Sequence, residues 1–209
     1  MCVTTSFRAM SASPFYDPSI IVSSHVDAYR RTGDLGTLFD ALKAVAKQFS
    51  PDVLKAAAKP YQQMPEVVIP LYEQIVATSS GDAQAMVVLA NAYWLSGRGV
   101  DAVDRLATQA KTVDASNRGA WHLWALAEPS VRKRVDRWME VTKRFPEDQL
   151  ARAALADNAV SLATDEDDPV ALKLAIHVYE GLLAESRQTA QRLALEETLK
   201  KLRSARSSS

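Results

Sequence analysis

The sequence predicts an all-α chain of antiparallel helical hairpins stacked one after another, and three observations carry that prediction. Apolar residues recur at three and four positions, as in Val87, Leu89, Ala90, Tyr93 and Trp94, which marks one buried stripe of a helix. No stretch combines the period-two alternation of a strand with the turn chemistry of a β-hairpin. One pattern also recurs without gaps: Ala28-Tyr29-Arg30-Arg31-Thr32-Gly33, and 64 positions later Ala92-Tyr93-Trp94-Leu95-Ser96-Gly97. The first copy continues to Leu38, Asp40, Leu42, Ala46 and Phe49, and the second to Ala102, Asp104, Leu106, Ala110 and Val113.

Helices are predicted near 17–32, 35–48, 51–63, 67–79, 83–96, 99–112, 118–127, 131–144, 148–163, 169–185 and 187–205. Three of their starts share a capping residue followed by proline: Asp17-Pro18, Ser50-Pro51 and Asp168-Pro169. Each side-chain oxygen can accept a free backbone N–H, and proline at the first helical position loses no hydrogen bond. Pro60 and Pro70 fall inside apolar helical patterns and should kink or shorten their helices. Short joins force neighbouring helices to lie antiparallel. Residues 1–16 and 206–209 are small, polar and aperiodic and read as frayed tails, leaving one repeat domain over 17–205.

Bulk composition narrows the function class. A chain of 209 residues buries about 70% of its unfolded surface, so neither a disulfide nor a metal is needed to hold it. Twenty-five basic and 25 acidic residues balance, so no net field draws the chain to nucleic acid or an anionic membrane. Cys2 is the sole cysteine, which fits a reducing compartment. No apolar run suits a signal peptide or approaches the ~20 residues of a membrane helix. The expectation is a cytoplasmic protein with no membrane span.

Gln84 to Ala115 resembles a tetratricopeptide repeat. Leu89-Ala90 stands at the family's Leu-Gly pair, Tyr93 at its tyrosine and Gly97 at its turn glycine, with Ala102, Leu106 and Ala110 on the second helix. Two departures are visible: one extra residue before Ala110, and Ala115 where the family closes on proline. Repeat ends at Pro51, Asp82, Ala115 and Pro146 lie 31, 33 and 31 residues apart, close to the family's period of about 34. Weaker units follow. One runs from Trp121 and Trp124-Ala125 through Trp138 to Phe145-Pro146, and another pairs Leu155-Ala156 with Ala175 and Tyr179. Residues 187–205, with Leu193, Leu195, Leu199 and Leu202, resemble the helix that caps such an array.

The resemblance implies a right-handed superhelix whose first helices line a concave groove. Matched onto this sequence, the groove positions are Gln84, Val87, Asn91 and Trp94, then Gly119, His122 and Leu126, then Ala153, Asp157 and Val160. Trp94, His122 and Leu126 would form an aromatic-apolar floor, and Asn91 could bond the backbone of an extended peptide. Trp94 suits packing between repeats equally well. Chaperone-binding members clamp a carboxylate with lysine and asparagine. Here Asn91 matches but Val87 replaces the lysine, so that clamp is not expected.

Other chemistry is sparse. His25, His122 and His177 lack a second ligand at metal spacing, so no metal or cofactor is expected. No glycine-rich phosphate loop and no Gly-x-Ser-x-Gly elbow is present, and Cys2 in a tail makes a poor nucleophile. Asp165-Glu166-Asp167-Asp168 precedes a helix start, where negative charge is favoured. Arg132, Lys133, Arg134 and Arg137 could grip phosphates or an acidic peptide, but solvated cations on an outer helix face explain them more readily. The leading expectation is a non-enzymatic scaffold that binds a partner peptide or helix in its groove. Nucleic-acid binding through 132–143, or a structural role in a larger assembly, are the alternatives. The partner's identity and the oligomeric state stay open, with a monomer favoured.

Overall fold

The computed structural model describes residues 17–208, so Cys2 and the tail over 1–16 lie outside the described residues. Among the described residues eleven α-helices follow in order: α1 (Pro18–Thr32), α2 (Leu35–Ala46), α3 (Pro51–Ala58), α4 (Pro65–Thr78), α5 (Ala83–Leu95), α6 (Val100–Val113), α7 (Arg118–Leu126), α8 (Val131–Arg144), α9 (Gln149–Glu166), α10 (Pro169–Glu185) and α11 (Thr189–Ser208). A 3-10 turn, Lys59–Tyr61, follows α3, and no strand occurs among the described residues. The chain divides into two compact units between Ser96 and Gly97.

In the first unit α4 is the central element. It packs against α2, α3 and α5, while α1 packs on α2 and α3. The sequence explains this position, because α4 is apolar nearly all round: Val67, Val68, Ile69, Pro70, Leu71, Tyr72 and Ile75 are buried. Val22 and Val26 from α1, Leu38 and Leu42 from α2, and Leu54 from α3 complete the core. Pro60 acts as the sequence predicts, since α3 stops at Ala58 and Pro60 falls in the 3-10 turn. Pro70 does not end its helix: it is buried inside α4, where its missing N–H removes the bond to the Glu66 carbonyl.

In the second unit each helix from α6 to α11 packs against the next in sequence, which is the serial stacking of hairpins. Val135, Trp138 and Val141 of α8 join Ala151, Leu155, Ala159 and Leu162 of α9 and Ala171 and Ala175 of α10 in one core. Alanines at these contacts let helix axes approach closely. α11 closes the unit with Leu199 buried against Leu182, Tyr179 and Ile176. Leu193 lies off the packed face and stands 61% exposed. The helix continues to Ser208, beyond the expected end at 205.

The internal repeat has a structural cause. Gly33 and Gly97 both take left-handed backbone, with φ of 70° and 68°, the conformation glycine supplies at a helix end. After that turn the gap-free alignment slips. α2 begins at Leu35, capped by Asp34, whereas α6 begins at Val100, after a second left-handed residue, Gly99. The extra residue therefore lies in the turn. Leu38, Leu42 and Val45 of α2 correspond to Val103, Ala107 and Ala110 of α6, all buried, while Ala102 and Leu106 are only half-buried. Of the three capped starts, Asp17 accepts from Ser19 N at 2.8 Å and Asp168 from Val170 N and Ala171 N at 2.9 and 3.1 Å. Ser50 makes no side-chain cap bond, so α3 starts on the fixed φ of Pro51 alone.

Candidate functional site

α5 is built with two different faces. Ala85, Met86, Leu89, Ala90 and Ala92 are buried, so this stripe holds the helix in its unit. The complementary stripe carries the four residues that the sequence marks for the groove. Gln84, Asn91 and Trp94 are exposed and Val87 is half-buried. Their spacing of three, four and three places them along one side of the helix.

Two polar ties fix the position of α5. Tyr93 donates its hydroxyl to Glu73 of α4 at 2.8 Å. Asp82 caps the helix by accepting from Ala85 N at 2.9 Å and pairs with Lys55 of α3 at 2.5 Å. Burial alone would raise the pKa of Asp82, but Lys55 and the capping N–H groups outweigh it and hold the carboxyl below its usual range. Asn91 has no side-chain hydrogen bond among the described residues, and Trp94 is 37% exposed. A helix held this firmly presents an amide and an indole to solvent without a backbone ordering cost.

The remaining predicted groove residues belong to the second unit, where neighbours already engage them. His122 of α7 bonds through Nε2 to Asp148 at 2.8 Å, and its ring meets the edge of Trp138 at 5.3 Å. Leu126 packs on the core with Trp121 and Trp124. Asp148 is buried; it also accepts from Leu150 N and Ala151 N at 3.0 and 3.2 Å and so caps α9. Asp157 of α9 accepts the Tyr179 hydroxyl, and Ala153 and Val160 pack beside it. Gly119 is half-buried in the first turn of α7.

The basic stretch on α8 is mostly committed to other groups. Arg132 reaches Glu166 at 2.6 Å and Asp168 at 2.9 Å, which accounts for two members of the acidic run. Arg134 donates to Asn158 Oδ1 at 2.7 Å and to the Glu128 carbonyl at 2.8 Å. Arg137 pairs with Asp104, reaches Glu128 at 3.0 Å and donates to the Trp124 carbonyl at 2.6 Å. The Lys133 side chain alone of the four has no such partner among the described residues. Reading each helix separately misses these acids. Their separations are the usable signal: Arg137 to Asp104 and Arg152 to Glu185 are each 33 residues, and Arg132 to Glu166 is 34, close to one repeat. No described helix is long and apolar enough to cross a membrane.

No family model matches the sequence, and no curated protein matches it. Solved structures do resemble the chain in fold. The Pseudomonas aeruginosa PilF structure aligns with a TM-score of 0.59 at 14% identity, covering 91% of this chain and 86% of PilF. A MamA crystal structure gives 0.56 at 17% identity over 82% of this chain and 97% of its own. TTC0263, a thermophilic tetratricopeptide repeat protein of Thermus thermophilus, gives 0.53 at 16% identity over 88% and 98%. At such identities the likeness speaks for the fold alone. That fold is an all-α, tetratricopeptide-like helical solenoid.

Proposed function

We propose that this tetratricopeptide-like chain is a non-enzymatic interaction scaffold that receives a helix or apolar peptide of a partner protein on the exposed stripe of α5. The observation that carries the reading is the pairing of a free amide, Asn91, with a solvent-facing indole, Trp94, on a helix whose other side is buried. Trp94 and Val87 would supply the apolar contact and Asn91 a bond to partner backbone; exposed tryptophans are common anchors of this kind. Neither an acidic nor a basic surface is needed, which agrees with the balanced charge.

The test is a crosslinking pull-down from the native cell with wild type and the Asn91→Ala/Trp94→Ala double variant. Recovery of the main partner should fall about tenfold or more, the scale of losing one anchor residue. Unchanged recovery would remove α5 from the reading. The nucleic-acid alternative gains little from α8, where Arg132, Arg134 and Arg137 already hold acids or carbonyls.

A further inference from the structure

A second feature lies wholly in the second unit and is independent of α5. Trp121 and Trp124 of α7 stand edge to face, with ring centroids 5.7 Å apart at 86°. The ammonium of Lys111, on α6, sits in the angle between them, 3.3 Å from the Trp124 centroid and 4.3 Å from that of Trp121. The pair is held from behind: Trp121 donates its indole N–H to the Ala115 carbonyl at 3.0 Å and meets the Phe145 ring edge-on at 6.2 Å. Arg137 lies 4.7 Å from the Trp124 centroid. Lys111 itself pairs with no carboxylate and donates to no acceptor among the described residues.

A primary ammonium is a poor occupant of such a place. It carries three N–H donors and strong hydration, and the indole faces replace neither in full. The cost is visible in the lysine, whose pKa is pushed down chiefly by burial, with Arg137 adding to the effect and Glu140 and Asp104 opposing it. A quaternary ammonium has no N–H to satisfy, is weakly hydrated, and meets indole faces through its methyl groups. We propose that the Trp121–Trp124 pair is a binding site for a quaternary ammonium group, which Lys111 occupies from within the chain until such a group displaces it.

The experiment titrates tetramethylammonium chloride into the full chain, with sodium chloride at matched ionic strength as the control, and follows the indole N–H signals by NMR. Lys111→Ala, whose fold is checked by circular dichroism, should give saturable shifts of Trp121 and Trp124. Wild type and Lys111→Arg, which keep a resident cation, should need about tenfold more ligand. Lys111→Ala/Trp124→Ala should give no saturable shift. A native-like Lys111→Ala protein with no saturable response, or the same response in the double variant, would overturn the proposal. Tighter binding of a trimethyllysine peptide than of choline would support the site with a modified protein as the source of the cation, and the reverse would support it with a small solute.

Discussion

Single residues here are constrained in ways that give opposite signs to similar substitutions. Gly33 and Gly97 hold φ near +70°, where an added Cβ meets no neighbour but strains the backbone. Ala at either should lower stability by about 1 kcal/mol, seen as an earlier urea midpoint. Gly181 lies inside α10 with ordinary φ and open space around it, so Gly181→Ala should raise stability by about 0.5–1 kcal/mol. Asp148 gives a pH signature. Burial raises its pKa, but the Ala151 N–H, His122 and Arg118 outweigh it and leave the carboxyl below the ordinary 3.8. A carboxyl depressed by folding contributes stability above its unfolded pKa and loses that contribution as pH falls through the folded value. Acid titration of the urea midpoint should therefore steepen below about pH 4, and Asp148→Asn should flatten that limb.

Among the helices, the start signals differ in what they contribute. Asp148 satisfies two N–H groups of α9 and Ser50 satisfies none of α3. Asp148→Ala should cost about 1–2 kcal/mol and Ser50→Ala under about 0.5 kcal/mol in the same denaturation assay. Most elements were legible in the sequence because their causes are local: caps, prolines and one apolar stripe lie within a few residues of each other. The slip between α2 and α6 was not, because a turn residue shifts register without altering the apolar pattern on either side. The packed face of α11 was not legible for a related reason: four leucines at mixed spacing leave it undetermined until α10 selects Leu199.

Across the molecule, the candidate site was legible in part. The stripe Gln84, Val87, Asn91, Trp94 follows from helical spacing and the repeat register. The engagement of His122 by Asp148 and of Arg137 by Asp104 required partners 26 and 33 residues away, beyond any local pattern. These cross-helix pairs also predict the response to salt. Because Arg132, Arg134 and Arg137 of α8 are held by acids and carbonyls, association of the chain with duplex DNA should be weak, without the steep salt dependence of a phosphate-binding surface, in a gel-shift series from low to moderate salt. The most direct measurement of the central claim is hydroxyl-radical footprinting of the chain with and without the captured partner. Oxidation at Trp94 should drop on binding while Leu193 and Val170, exposed in the second unit, keep their rates. Full oxidation of Trp94 in the complex, with protection elsewhere, would contradict it.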